Sequence, residues 1–361
     1  MANDTLSRQA HYRAVDAGNL AAAVETALAK FLHAEATALE STDPALGPFA
    51  RSGIDAVLSG GKRLRPTFAY WGWRGLAGPD APAEGMVPAF AALELLHAFA
   101  LIHDDVMDAS ATRRGRPTVH ESLANQHRAA GRVGDPERFG GAAAVLVGDL
   151  CSVWADVLLA RADVPAMTLL DARRCYDRMR IEAIAGQYLD VLGEAEPDRW
   201  SVSRALRVAR LKTASYTVVR PLLFGAALAG PHAEVVGKAF TAYGTAVGEA
   251  FQLRDDLLGV YGDPAVTGKP AGDDLRTGKP TALLVLARRM ATPAQRDRLS
   301  PHCDVATAAD LVTATGAADA VEDMINSRVD EALEALAAAP IEPTARAALS
   351  GLAVASTHRR A

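Results

Sequence analysis

The chain has 361 residues, half of them hydrophobic, which is enough for one large domain or two ordinary ones. Its 38 Lys and Arg stand against 43 Asp and Glu, and the net charge of −5 gives no global signal for nucleic acid or an anionic membrane. A site for an anion must therefore come from a local cluster of basic residues.

Several features predict a soluble cytoplasmic protein with no membrane span. Cys151, Cys175 and Cys303 are odd in number and lack metal-ligand spacing, so we expect reduced thiols. The N-terminal sequence MANDTLSRQAHYRAVD has no apolar signal core. No uninterrupted apolar run approaches the roughly 18 residues of a membrane span.

Alanine and leucine at helical spacing dominate the chain, while alternating β-branched runs are scarce. The predicted helices are Leu20–Leu39, Val87–Asp108, Gly141–Ala160, Asp171–Leu192, Val202–Arg220, Val235–Val260, Thr281–Met290 and Ala318–Ala338. Two polar stretches between them, Ser110–Gly140 and Gly262–Pro280, are typical of loops. We find no internal repeat or long linker, so we predict one all-α domain of ten or more helices over residues 1–361.

A long apolar helix ends in carboxylates in the segment HAFALIHDDVMD. Asp104 and Asp108 are four residues apart and share a face, and His97 returns to that face about 10 Å below. Such charges are costly unless compensated, and magnesium typically binds one or two carboxylates together with waters and phosphates. The alternative is that these acids form an ordinary solvated helix end.

A second helix also ends in paired acids, in the segment FQLRDDLLG. Asp255 and Asp256 are preceded on nearly the same face by Gly244 and Gly248, which we expect to leave the backbone open to a cavity. Two acidic helix ends facing each other would hold several cations around one polyanion.

Basic residues alternate with these acids along the chain. They are Lys62, Arg63 and Arg65 in Gly60–Pro66, then Arg113 and Arg114, Lys212 beside Thr213, Lys269 and Lys279. Each group alone is typical of a solvated face, but magnesium bridged to phosphates needs both signs of charge nearby. Arginine grips phosphate oxygens in bidentate fashion and lysine acts as a point charge.

A di-iron site is the competing metal hypothesis, because Glu94 and His97 match the Glu-x-x-His element of di-iron bundles. That site needs two such elements. None of the other eight histidines follows a glutamate at this spacing, so we do not expect a di-iron centre.

In combination, the motifs resemble those of the trans-isoprenyl diphosphate synthases, the polyprenyl synthetase family, from about residue 60 to 281. The matching segments are Gly60–Pro66, Asp104–Asp108, Arg113–Gly115, Gly186–Asp190, Lys212–Thr213, Phe251–Asp256, Gly262–Asp263, Gly268–Lys269 and Gly272–Lys279. The resemblance implies an all-α isoprenoid synthase bundle with a central prenyl-chain cavity, C-terminal helices over 282–361, and a homodimer. It implies condensation of isopentenyl diphosphate with an allylic diphosphate (dimethylallyl, geranyl or farnesyl).

The family's residue roles transfer by position. Asp104 and Asp108 would bind two magnesium ions on one side of the allylic diphosphate, and Asp255 a third on the other. The implied catalytic set is Asp104, Asp105, Asp108, Arg113, Lys212 and Asp255. The allylic diphosphate would be held by Arg113, Lys212, Thr213, Gln252 and Lys269. Isopentenyl diphosphate would be held by Lys62, Arg65, His97 and Arg114, with Lys279 also binding substrate and Phe251 lining the prenyl channel.

The chain departs from the family pattern at Gly259, where a third aspartate is frequent, and at Thr277, where an acid is frequent. Only the first aspartate of the second motif is usually a direct ligand, so we expect activity to survive. Asp263 is a candidate for compensating through water.

Product length is suggested by Phe99 and Ala100, five and four residues before Asp104. This pair resembles enzymes that stop at the twenty-carbon geranylgeranyl product, as in bacterial geranylgeranyl diphosphate synthases. Helical geometry puts Phe99 about 140° from Asp104, so its interpretation as an ordinary core residue stays open. Farnesyl and longer products also stay open.

Two rival functions share this fold. A terpene cyclase uses one substrate and needs no Lys62/Arg65 cluster, and its second motif carries Asn, Ser and Glu. A non-catalytic partner subunit would be expected to have lost aspartates, which Gly259 favours and the intact Asp104, Asp105 and Asp108 oppose.

Overall fold

The computed structural model describes residues 17–262, 272–299 and 303–357, and this part of the chain is almost entirely helical. The all-α prediction is confirmed. The N-terminal elements are α1 (Leu20–Thr42), α2 (Leu46–Leu58), α3 (Leu64–Ala77), α4 (Val87–Met107), strands β1 (Thr112–Arg113) and β2 (Arg116–Pro117), α5 (Val119–Ala129), α6 (Pro136–Leu159) and α7 (Ala166–Ala195). The C-terminal elements are α8 (Val202–Val208), a π-helical segment (Ala209–Val219), α9 (Arg220–Leu228), α10 (Gly237–Tyr261), α11 (Asp273–Thr277), α12 (Ala282–Met290), α13 (Pro293–Arg298), α14 (Val305–Ala314), α15 (Ala317–Ala337) and α16 (Pro343–Thr357). Short 3-10 turns occur at Glu84–Met86, Pro197–Arg199 and Pro231–Val236.

Helix α4 lies at the centre of the main apolar core and packs along α6. It begins with Pro88 in its first turn, where the missing N–H costs no hydrogen bond. Phe90, Leu93 and Leu95 are fully buried. This packing fixes the axis of the helix whose last turn carries Asp104.

Two helical stretches, Glu84–Met107 and Pro136–Leu159, are long and apolar enough to cross a membrane by length and composition alone. The windows that meet this test are 61% and 44% buried inside the protein, respectively. For α4, core packing accounts for the hydropathy. Helix α6 keeps an exposed apolar face that includes Leu146 and Val153.

The prediction of a loop over Ser110–Gly140 is wrong, because a hairpin, α5 and the start of α6 lie there. The hairpin turns at Arg114 and Gly115, whose φ angles of 53° and 71° suit a two-residue turn. Helix α5 buries only Leu123, Ala124 and His127, so its sequence contains few apolar residues that would indicate a helix.

The helix predicted over Val202–Arg220 is present, but it is not a regular α-helix throughout and helical structure continues to Leu228. The chain passes from α8 into the π-helical segment and then into α9, and Pro221 lies in the first turn of α9. Wider π-helical turns are often found at functional sites, and this one carries Lys212 and Thr213.

The remaining predicted helices exist with ends shifted by a few residues, while α2, α3, α9, α13, α14 and α16 were not among the predicted helices. Within the predicted loop Gly262–Pro280 the structure has α11, so that prediction is wrong there. Asp263 and Lys269 lie outside the described residues.

The expectation that Gly244 and Gly248 open onto a cavity is wrong. A Cβ atom at Gly248 would lie 2.2 Å from the Cα of Ala214, and one at Gly244 would lie 2.8 Å from a methyl carbon of Val219. The two glycines therefore let α10 approach the π-helical segment closely. This contact sets the end of α10 beside Thr213, whose hydroxyl donates to Gln252.

Candidate active site

The hairpin after α4 folds Arg113 back onto the acidic end of that helix. The Nε of Arg113 donates to both carboxylate oxygens of Asp105 at 2.9 and 3.0 Å, and its Nη2 lies 3.3 Å from Oδ2 of Asp104. Asp105 is only 4% exposed. Asp105 therefore orients Arg113, while the Asp104 side chain is the more exposed of the two carboxylates.

Asp104 joins three separate elements. Its Oδ1 accepts hydrogen bonds from Lys212 Nζ of the π-helical segment and from Gln187 Nε2 of α7, both at 3.0 Å. Burial raises the pKa of Asp104, but Lys212 and Arg113 outweigh burial and hold that pKa below its usual value. The carboxylate is thus kept ionised.

A second carboxylate extends this charge network. Asp190 lies 2.6 Å from Lys212 Nζ and 2.9 Å from Lys279 Nζ. Burial opposes the charged forms, yet the mutual attraction lowers the pKa of Asp190 and raises those of Lys212 and Lys279. Asp104, Lys212, Asp190 and Lys279 therefore alternate in sign across the site.

Asp108 lies one helical turn beyond Asp104, at the exposed end of α4. Desolvation and the charge of Asp104 raise the pKa of Asp108, although Lys279 and Lys212 oppose the shift. Two carboxylates that repel each other at one helix end suit a divalent cation with oxygen ligands. The donor set at this end therefore fits magnesium.

At the end of α10, the buried carboxylate of Asp256 has a structural role. Its two oxygens accept from Gln252 Nε2 at 2.9 Å and from the backbone N–H of Ala282 at 3.1 Å, and burial raises its pKa to about 8. Gln252 in turn accepts from the Thr213 hydroxyl at 2.6 Å. Asp255, which is half-buried, is the carboxylate of this pair that remains a candidate metal ligand.

Arg65 and His97 form a basic cluster around Tyr216, a residue that sequence analysis missed. Arg65 donates to Thr217 Oγ1 at 2.9 Å, its guanidinium carbon lies 4.1 Å from the Tyr216 ring centroid, and its buried Nε has no hydrogen-bond partner among the described residues. His97 Nδ1 lies 3.1 Å from the Tyr216 hydroxyl. Tyr216 follows Lys212 by one turn, which is a signal only once the π-helical segment is known.

Arg114 reaches the same region through the glycine-rich segment before α3. It donates to the carbonyl oxygen of Gly60, and a Cβ atom at Gly61 would lie 3.2 Å from its guanidinium. Gly60 and Gly61 have φ angles of 88° and 148°, which favour glycine. Lys62 lies exposed in this segment, while Arg63 turns inward to form a 2.6 Å ion pair with Glu94. Glu94 is therefore engaged by Arg63, which opposes its role as a ligand in a di-iron site.

The local electrostatics predict how His97 responds to pH. Desolvation, then Arg65, Arg114, Arg113 and Arg63, holds the pKa of His97 well below its usual value. In the unfolded chain His97 therefore binds a proton near pH 6.5, whereas in the folded protein it stays neutral at that pH. Stability is lost as the pH falls through that value, because protonation then favours the unfolded chain. We expect the free energy of unfolding to fall less between pH 7 and 5 in His97→Asn than in the wild type.

Denaturant unfolding at each pH measures this difference, with His33→Asn on exposed α1 as the matched control. Equal pH dependence of His97→Asn and wild type would contradict the assignment.

Phe99 packs edge-on against His103, with ring centroids 4.7 Å apart. His103 fits against Gly148 of α6, where a Cβ atom would lie 2.3 Å from the imidazole ring, and it bonds the Val145 carbonyl at 3.0 Å. Phe99 and Ala100 are both half-buried. Phe99 therefore packs one turn before the acidic end of α4 against His103, which in turn contacts α6.

Comparison with known proteins identifies the family of this chain. The sequence model of the polyprenyl synthetase family matches residues 49–315. A geranylfarnesyl diphosphate synthase from Aeropyrum pernix is 34% identical over 296 residues, covering 80% of this chain and 86% of the relative. A geranylgeranyl diphosphate synthase from Mycobacterium tuberculosis is 32% identical over 289 residues, covering 78% and 76%.

Solved structures extend the likeness over nearly the whole chain. The geranylgeranyl pyrophosphate synthase from Corynebacterium glutamicum, complexed with isoprenyl diphosphate and magnesium, superposes with a TM-score of 0.89 at 39% identity. That match covers 96% of this chain and 100% of the solved chain. The protein belongs to the polyprenyl synthetase family, whose members are trans-prenyltransferases.

Proposed function

We propose that this protein condenses isopentenyl diphosphate with an allylic diphosphate in a magnesium-dependent reaction. The observation that carries the proposal is the alternating network of Asp104, Lys212, Asp190 and Lys279, together with the basic cluster at Arg65. Carboxylates of this network suit hydrated cations, and its lysines suit the diphosphate that those cations bridge. The basic cluster offers separate positive charge for a second diphosphate.

The first site would hold the allylic substrate. Asp104 and Asp108 would bind two magnesium ions and Asp255 a third, and bound magnesium supplies Lewis-acid stabilisation of the leaving diphosphate. Lys212 Nζ and Arg113 Nη2 lie 3.0 and 3.3 Å from Asp104, so both side chains are within reach of a diphosphate held beside this carboxylate. They would stabilise the negative charge that develops as the allylic carbon–oxygen bond breaks.

The remaining ligands of this diphosphate would be Thr213, Gln252 and Lys269. The 2.6 Å hydrogen bond between Thr213 and Gln252 orients both side chains. Asp105 would act indirectly by holding Arg113, and Asp190 by holding Lys212 and Lys279.

The second site would hold isopentenyl diphosphate through Lys62, Arg65, His97 and Arg114. The unpartnered Nε of Arg65 is a donor that a diphosphate oxygen would satisfy. A neutral His97 would donate one hydrogen bond without adding charge. The double bond of isopentenyl diphosphate would attack the allylic cation, and the released diphosphate would take the proton lost from the product.

Diphosphate release separates this function from a cyclase. With magnesium and an allylic diphosphate alone, we expect little release, and addition of isopentenyl diphosphate should start it. Rapid release from geranylgeranyl diphosphate as the single substrate would instead favour the cyclase.

We also propose a twenty-carbon product, with Phe99 forming the floor of the chain cavity. The Phe99 ring packs against His103, whose own ring is held against Gly148 of α6. Phe99→Ala should then lengthen the main product by at least one isoprene unit, measured by chromatography of the hydrolysed products. Phe139→Ala, which changes an exposed ring of α6, is the control, and unchanged length in Phe99→Ala would identify Phe99 as ordinary core.

We further propose a homodimer built on α6 and α7. Leu146 and Val153 are more than half exposed on one face of α6, and Ile181, Ile184 and Tyr188 are more than half exposed at helical spacing on α7. A second copy covering this surface would account for the hydropathy of α6 without a membrane, in keeping with a cytoplasmic location. We expect Leu146→Asp/Ile184→Asp to yield monomers by light scattering, while Val235→Asp, at another exposed site, should not. A monomeric wild type would contradict the proposal.

A further inference from the structure

Gly259 stands where the second acidic motif of this family often has its third aspartate, and a neighbouring carboxylate fills the vacant volume. A Cβ atom at Gly259 would lie 2.4 Å from Oδ2 of Asp274 and 3.2 Å from its carboxyl carbon. Any side chain at position 259 would therefore begin where the Asp274 carboxylate now lies. Gly259 and Asp274 form a complementary pair across the α10–α11 contact.

Backbone hydrogen bonds hold Asp274 in this place. The N–H of Gly272 donates to the carbonyl oxygen of Gly259 at 3.0 Å, which joins the start of α11 to the last turns of α10. Gly272 has a φ of 70°, so the chain turns sharply there. The N–H of Lys279 donates to the carbonyl oxygen of Asp274 at 3.1 Å. The position of the Asp274 carboxylate is thus fixed by this hydrogen-bonded turn.

Asp274 is linked to the charge network of the candidate site through Lys279. The turn that carries Asp274 also fixes the backbone of Lys279, whose Nζ lies 2.9 Å from Oδ2 of Asp190. A change at Asp274 is therefore transmitted through this turn to a lysine of the network.

We propose that Asp274 replaces the missing third carboxylate of the second acidic motif, positioning Lys279 and the cation shell on the Asp255 side. The inference rests on the proposed function, because it assumes a magnesium–diphosphate complex between the two helix ends. It assigns the compensation for Gly259 to a residue fifteen positions further along the chain, in contrast to the sequence-based suggestion of Asp263.

Binding of inorganic diphosphate in the presence of magnesium tests the proposal without turnover. Removing a carboxylate that orients metal ligands typically lowers affinity about 10–100-fold, and we expect a loss of that size in Asp274→Asn by titration calorimetry. Asp274→Glu, which keeps the charge, should retain most of the affinity. Asp330→Asn removes an exposed carboxylate on α15 and is the matched control.

A carboxylate moved between the two positions gives a sharper test. Gly259→Asp alone should also weaken binding, because it places a second carboxylate against Asp274. The double variant Gly259→Asp/Asp274→Gly should bind more tightly than either Gly259→Asp or Asp274→Gly, since one carboxylate is restored and the crowding is relieved.

Unchanged magnesium-dependent binding in Asp274→Asn, or additive losses in the double variant, would overturn the inference. The wild type serves as the separate test of the proposed function, since a wild type that condenses substrates while Asp274→Asn binds diphosphate normally would overturn this inference alone.

Discussion

Replacing Asp104 with alanine is expected to lower turnover by on the order of 10²–10³-fold or more while the protein stays folded. Asp104 contacts Arg113, Gln187 and Lys212 together, from three different elements. Its loss removes a proposed magnesium ligand. It also releases the Arg113 and Lys212 side chains from the positions in which they would contact the leaving diphosphate. Steady-state turnover with saturating substrates measures the effect.

Two further variants make this result interpretable. Asp323→Ala removes an exposed carboxylate from α15 and should leave turnover unchanged. Asp104→Asn keeps the shape and one hydrogen-bond acceptor, so it should stay folded yet remain strongly impaired. Near-normal turnover in a folded Asp104→Ala protein would remove Asp104 from the proposed mechanism.

The largest expected loss of stability follows from Arg63→Met. Arg63 and Glu94 form a 2.6 Å ion pair in which both side chains are about 95% buried, and Arg63 also donates to the carbonyl oxygen of Val57. Removing the cation leaves Glu94 charged and without its partner inside the α3–α4 contact, which typically costs about 3–5 kcal/mol. The free energy of unfolding by denaturant should fall by about that amount.

A second substitution, at Glu94, tests whether the uncompensated charge causes the loss of stability. The double variant Arg63→Met/Glu94→Gln should recover part of the loss, because it removes the uncompensated charge. Arg174→Met, which breaks an exposed ion pair with Asp171 on α7, should change the free energy of unfolding by at most about 1 kcal/mol. A loss below that value in Arg63→Met would show that the Arg63–Glu94 pair contributes little.

Local patterns in the sequence identified the fold class and the charged residues that the structure brings together. The spacing of Asp104 and Asp108, and the basic residues at 65, 114 and 212, could be found without coordinates because each motif lies within a few residues of chain. Helix α5 escaped prediction because it buries a narrow face and is otherwise polar.

Contacts between distant segments could not be predicted in the same way. Spacing placed Gly244 and Gly248 on the face of Asp255, but it could not show that another helix, rather than a cavity, fills the space beside them. The place of Tyr216 depends on the π-helical segment, and the approach of Asp274 to Gly259 depends on the turn at Gly272. Each is a relation between segments that pack only in the folded protein.

The most direct test of the proposed reaction is product analysis with purified protein, magnesium, labelled isopentenyl diphosphate and, in turn, dimethylallyl, geranyl and farnesyl diphosphates. We predict a labelled twenty-carbon diphosphate from each primer, abolished when magnesium is chelated. A magnesium-dependent product of another length would retain the reaction and contradict the role of Phe99. Absence of condensation with every primer would contradict the proposed function.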